Sequence, residues 1–219
     1  AASEQGGGGV VEGAVFALLG LLIAFTFTGA AGQYDERRDL IAQQVNALGT
    51  AWLRLDLLPD LDQGPLRDAF RTYLDLVIAL PQQVENAERL AQIMDELDRL
   101  QAEIWRLAVA AANRDGRPQV ATLVLPPLNE VFDLTDLRIK SAAMHIHPSV
   151  FALLIGLALL AALLAGNGQA QTDPPAVLHM VVFALLLALT LYFILDFEYP
   201  RMGLIRLDAS DQFLIRLRA

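Results

Sequence analysis

The sequence predicts an all-α integral membrane protein, with three transmembrane helices and a long helical insert between the first and second. Two observations carry that expectation. Of 219 residues 55% are hydrophobic, and they gather in three long uncharged blocks. The charged residues between the first and second blocks sit in heptad-spaced helices. A membrane-crossing helix needs about 20 apolar residues for a ~30 Å hydrocarbon layer, and a soluble domain scatters its apolar residues instead of blocking them.

Residues 1–9, with their run of glycines, are expected to be a flexible start. The first span is assigned to residues 10–32, within which Gly13 to Gly32 carries no charge. Nothing before it is basic and its apolar region is long, so it does not read as a signal peptide. No proline separates Gly32 from Leu58, so the first helix is expected to continue out of the membrane into the insert.

The insert, residues 33–147, holds eighteen acids and twelve bases. Ile41, Val45, Leu48, Trp52 and Leu55 step by four and three. Leu66, Phe70, Tyr73, Val77 and Leu80 repeat the rhythm, and so do Leu90, Ile93, Leu97, Leu100, Ile104 and Leu107. This spacing puts one apolar stripe on each helix, to be buried against its neighbours. Pro59 to Pro65 reads as a turn, with Asp60 and Asp62 as turn and capping residues. Pro81 interrupts the second helix near its end, and Asn113–Pro118 is a second turn. Pro126-Pro127 is expected to break the chain before a last helix that runs from Leu128 towards Pro148.

The second span is assigned to residues 148–166, a loop to 167–175, the third span to 176–197 and a tail to 198–219. All sixteen Lys and Arg lie either between Gln33 and His147 or after Tyr199. The positive-inside rule then puts the insert and C-terminus in the cytoplasm and the N-terminus and 167–175 loop outside. The chain is then expected to be a multi-pass membrane protein with its N-terminus outside and its C-terminus inside.

Several function classes fall away. There is no cysteine, which removes thiolate catalysis, iron–sulfur clusters and disulfide scaffolding. A net charge of −9 argues against nucleic acid as a partner. No nucleotide loop, Gly-x-Ser-x-Gly or His-Glu-x-x-His occurs, so no enzyme and no cofactor is expected. His145 and His147 flank Ile146, but such a pair diverges on a helix and has no third ligand, so no metal is expected.

The candidate functional residues lie on the spans. Gly13, Ala17, Gly20, Ala24, Thr28 and Ala31 follow one face of the first span. Small residues let helix backbones approach in lipid; the competing reading is that this face borders a pore. Leu19, Ile23 and Phe27 follow a second face at four-residue spacing. They are either lipid contacts or, repeated around an oligomer, an apolar constriction that gates by dewetting. Glu12 is an acid at the outer edge of the first span, either a solvated helix start or part of an acidic channel mouth. Asp196 is an acid at the inner edge of the third, either a structural helix-end contact or an ion site.

Taken together, the stretches Glu12–Phe27, Tyr34–Leu40, Asn46–Pro59, Leu66–Leu74, Leu128–Arg138 and Leu195–Arg206 resemble the bestrophin-like domain family of bacterial membrane proteins. Members of that family often carry one more span upstream. The family's name points to bestrophins, which are pentameric ion channels with an apolar neck and a helical cytoplasmic region. The resemblance implies that the first span is the neck helix, with Leu19, Ile23 and Phe27 as its constriction, inorganic ions as its cargo and five copies around the pore. No match to the bestrophin acidic calcium clasp is present. The alternative is a non-conducting membrane scaffold or sensor whose cytoplasmic helices recruit a partner.

Overall fold

The computed structural model describes residues 2–80, 87–170, 177–199 and 203–204, and these are helical apart from short connections. Helix α1 (Ala2–Arg54) leads through a 3-10 turn (Leu55–Leu57) into α2 (Asp60–Ala79). Helices α3 (Ala87–Asp115), α4 (Pro118–Ala143), α5 (Pro148–Ala170) and α6 (Val177–Glu198) follow. The described residues divide into two compact units, one of those from 2 to 36 and from 144 to 204, the other of those from 37 to 143.

In the first unit α1, α5 and α6 are long and apolar enough to cross a membrane. Leu19 packs with Ala158 and Ala161, and Ala30 with Leu154 and Ile194. Most of α6 remains open towards its surroundings, as expected where lipid tails are as apolar as leucine and leave little drive to bury one leucine against another. The helix boundaries differ modestly from the assigned spans. Helix α5 runs past Gly166 to Ala170, and α6 closes at Glu198. Helix α1 begins at Ala2, so the expected flexible start is already helical. With no proline before Pro59, nothing interrupts the backbone ladder that the apolar segment propagates.

The second unit is a helical core built on the three heptad stripes. Leu48, Leu55, Leu66, Phe70, Tyr73, Val77, Ile93, Leu97 and Ile104 are all buried in one cluster. Helix α4 completes it with Val124, Leu128, Val131 and Leu134. The 113–118 turn forms as expected: α3 ends at Asp115, Gly116 takes φ 72°, and Pro118 opens α4. Glycine suits this left-handed position and proline the first helical one.

Two expectations about prolines are corrected. Residues Asp60–Pro65 are the start of α2 and not a turn, with Pro65 inside the helix. Asp60 and Asp62 lie in its first turn, where carboxylates suit the positive end of the helix dipole. The actual reversal is the shorter Leu55–Pro59 stretch, closed by Leu58 N–H donating to Leu55 O at 3.1 Å. Pro126 and Pro127 do not break the chain, and α4 runs through both. A proline at 127 cannot donate to the carbonyl of residue 123. That carbonyl accepts instead from Arg54 Nη1 at 2.8 Å. The expected break at Pro81 and the tail beyond Leu204 lie outside the described residues.

A buried polar group sits within this apolar core. Gln44, Tyr73 and Thr135 come from α1, α2 and α4 and are almost wholly buried. Gln44 Nε2 donates to Thr135 Oγ1 at 2.6 Å and Tyr73 OH donates to the same oxygen at 2.7 Å. Thr135 Oγ1 donates onward to Val131 O at 2.9 Å. One hydroxyl thus uses its donor and both acceptor positions. Gln101 of α3 reaches the Tyr73 hydroxyl at 3.4 Å, and Arg138 donates to Gln44 Oε1. Burial pushes the Tyr73 hydroxyl up to about 12, against a smaller downward pull from its hydrogen bonds to Thr135 and Gln101.

Candidate functional site

Helix α1 divides its membrane segment between two faces. The first is turned into the chain's own helices. Leu19 is only 4% exposed, and Ile23 is half-buried against the cluster that Leu19 forms with Ala158 and Ala161. Phe27 sets its ring edge-on to Phe197, with centroids 5.5 Å apart, and keeps part of its surface open. Thr26 joins this face and donates to Leu22 O at 2.7 Å.

The second face is open. Gly13, Ala17, Gly20, Ala24 and Thr28 are all exposed, and a Cβ at Gly13 or Gly20 would meet nothing within 4 Å. Ala31, the last of the small residues, is half-buried. Leu21 and Phe25 share the open face, 52% and 67% exposed. The step pattern explains this: Ala17, Leu21, Ala24 and Thr28 are separated by four, three and four residues. Thr28 turns its hydroxyl back onto Ala24 O at 2.8 Å, so the face offers no free polar side chain there. Glu12 is half-buried near the start of the same segment.

At the other end of the unit, α6 carries two buried carboxylates. Asp196 is 3% exposed and accepts the backbone N–H of Leu204 at 3.2 Å. A side chain at position 203 would collide with the Asp196 carboxylate, so the returning chain approaches it through Gly203. Glu198 accepts the backbone N–H of Ile146 at 2.7 Å and meets His145 Nδ1 at 3.2 Å. The His145 ring stacks on Tyr199 with centroids 5.0 Å apart. His147 points elsewhere: its Nδ1 lies 2.8 Å from Ser149 Oγ and accepts the Ser149 N–H at 3.3 Å. The two histidines therefore diverge, and no group of three potential metal ligands forms among the described residues.

The structure thus brings Leu19 and Ile23 into an internal packing face, and holds Asp196 as a buried acceptor. Sequence reasoning did not single out Leu21, Phe25 or Glu198. The first two carry no distinguishing signal in a segment apolar on every side. Glu198 had one, an acid next to the apolar run of α6.

Three apolar helices and a helical insert define an all-α membrane protein. The chain belongs to the bestrophin-like family: the model of the bestrophin-like domain matches residues 5–211. No curated protein matches the sequence. Among solved structures it is similar to the crystal structure of a bacterial bestrophin homologue from Klebsiella pneumoniae carrying an isoleucine-to-threonine mutation. The TM-score is 0.69 at 13% identity, covering 95% of this chain and 87% of that one. At that identity the likeness establishes a shared fold.

Proposed function

We propose that this chain is the subunit of a homo-oligomeric ion channel whose pore is bounded by α1. The observation that carries this reading is the open, uncharged face of α1. One side of the helix is used up by α5 and α6, and the other is left for a neighbouring copy or an aqueous path. An aqueous path through lipid must be enclosed by protein, so copies arranged around an axis would supply the enclosure. The family and the shared bestrophin fold support the oligomer, and five copies follow the bestrophin precedent.

Within that reading two constrictions compete. The sequence-derived ring is Leu19, Ile23 and Phe27. Its Leu19 would have to leave Ala158 and Ala161 to reach an axis. The ring compatible with the packing of a single chain is Leu21 and Phe25, flanked by Ala17, Ala24 and Thr28. An apolar ring narrow enough to dewet is a barrier without charge. Glu12 and the insert's excess of acid over base would enrich cations at the mouths.

Planar-bilayer recording of the purified protein tests both. Phe25→Ala should raise the current by widening the ring, and Ile23→Ala should leave it near wild type. The reverse ranking restores the Leu19–Ile23–Phe27 ring, and reversal potentials in a KCl gradient read the selectivity. No current in any variant favours the scaffold reading. That reading has its own support in the insert, where Leu53 and Leu61 are 69% and 93% exposed, an apolar surface open to a partner.

The orientation is proposed from the basic residues: insert and C-terminus in the cytoplasm of a bacterial inner-membrane protein, N-terminus and 167–175 outside. Single-cysteine labelling is clean in a cysteine-free chain. A cysteine at Gln169 should react from outside and one at Gln92 only after permeabilisation. The opposite pattern overturns the orientation.

A further inference from the structure

We infer that the end of the insert where α1 hands over to α2 is a contact between copies of this chain, made by Leu53, Leu57, Leu61 and Leu123. The inference rests on the homo-oligomer proposed above and gives it a contact in the insert. Leu53 lies in the last turn of α1, Leu57 in the 3-10 turn and Leu61 in the first turn of α2. They are 69%, 39% and 93% exposed. Two hydrogen bonds bring the start of α4 beside them: Arg54 Nη1 donates to Leu123 O at 2.8 Å, and Arg117 Nη2 to Leu57 O at 3.4 Å. Leu123, 43% exposed, joins the patch from that side. The other exposed large apolar side chains among the described residues of this unit, Met94, Trp105 and Leu137, stand apart on α3 and α4. Single apolar residues on a surface are ordinary, whereas a contiguous group marks a place of contact.

Charge identifies the occupant. The insert carries eighteen acids against twelve bases, so two copies repel over most of its surface. The leucine end is the exception. Asp56 pairs with Arg67, Asp62 with Arg114 and Asp115 with Arg117. Asp60 accepts from Gln63 Nε2 at 3.4 Å, and Arg54 is turned onto the Leu123 carbonyl. Four aspartates and four arginines therefore surround the leucines, and this end is neutral while the insert as a whole is acidic. A like-charged copy approaches there without repulsion, and the centre of an interface is the place where charge is depleted. A foreign partner that recognises an acidic chain by charge would be basic, and its target would be the acidic surface instead.

The patch is small. Four leucines fall well short of the ~1,200–2,000 Å² that a stable interface buries, so this contact does not assemble free subunits. It forms between copies already gathered by their spans, where the effective concentration of one patch for the next is high. Symmetry then fixes the geometry. Copies related by rotation present the same surface to one another only beside the rotation axis, so the Leu61 side chains of neighbouring copies lie next to each other there.

The test is disulfide crosslinking of the full chain in lipid nanodiscs, which keep oligomers apart from one another. The chain is cysteine-free, so a single introduced cysteine reports one position. Leu61→Cys alters a side chain that packs on almost nothing in its own chain. On mild oxidation it should give covalent dimers roughly tenfold faster than Glu103→Cys on the exposed face of α3, at a rate independent of dilution. Adding Leu53→Glu to Leu61→Cys should slow the reaction by about the same factor, because it sets like charges against each other within the patch. Equal rates at 61 and 103 overturn the contact, and so does a rate unchanged by Leu53→Glu. Light scattering of the same samples, with detergent and lipid mass subtracted, separates the two readings. An oligomer without a crosslink at 61 keeps the homo-oligomer, removes this contact and leaves the patch to a foreign partner; a monomer removes both.

Discussion

Replacing Thr135 with valine removes one oxygen and keeps the shape, which makes it a sharp probe of the buried polar group. In the wild type that oxygen accepts from Gln44 Nε2 and Tyr73 OH, at 2.6 and 2.7 Å, in a site closed to water. Valine strands both donors. A buried donor without a partner costs about 1–3 kcal/mol, so Thr135→Val should destabilise the insert by about 2–6 kcal/mol. Tyr73→Phe is milder, because it removes a donor together with its need for a partner. About 1 kcal/mol is expected, the net worth of an ordinary hydrogen bond. In the double variant only Gln44 is stranded, so the combined loss falls short of the sum by about 1 kcal/mol or more. Urea unfolding in detergent, followed by tryptophan fluorescence, is the assay. Both tryptophans, Trp52 and Trp105, lie in the insert, so the signal reports that unit. A Thr135→Val variant within the measurement error of wild type, or strict additivity in the double variant, would refute the argument.

Two further outcomes follow from the same core. The Tyr73 hydroxyl is raised from 10.0 to about 12, so the folded chain resists its ionisation. Its contribution is therefore intact below pH 10 and is lost as pH rises towards 12, a loss of roughly 3 kcal/mol; the stabilities of wild type and Tyr73→Phe against pH should cross within that window, the wild type being the more stable below it and the less stable above it. Arg54→Ala leaves the Leu123 carbonyl without its guanidinium donor. It should cost about 0.5–1.5 kcal/mol in the wild type, since the exposed carbonyl can turn to water, and less in a Pro127→Ala background, where the restored amide can reach that carbonyl; equal costs in the two backgrounds, read by urea titration, would remove the proline from the explanation.

The helices of the insert were legible because their apolar residues repeat at helical spacing against a charged background. Every stripe residue from Ile41 to Leu107 is buried or half-buried. The polar group within the core was missed, although a signal existed. Gln44 lies three residues after Ile41 and four before Leu48, on the buried face, and Thr135 follows Leu128 and Val131 in the same way. A polar residue on an apolar stripe asks for a partner, and the partners come from other helices that a linear reading does not align. Prolines misled for a related reason. At Pro127 the lost backbone bond is replaced by a side chain from residue 54. The spans were legible as spans but not in their facing. When lipid and protein neighbours are equally apolar, leucine at 19 and leucine at 21 carry the same information, and only packing tells them apart.

The guanidinium that serves α4 also makes one helix depend on another for its main-chain bonding. A ribosome delivers residue 54 well before residues 126 and 127. When the proline pair emerges, Arg54 has already been synthesised on the helix it belongs to. The stretch of α4 around residue 123 lacks one helical bond of its own there. Docking supplies the missing donor and buries Val124 and Leu128 in the same step. The prolines thereby make that stretch of α4 lean on a donor carried by an earlier helix, so its helical bonding is completed between elements and not within one.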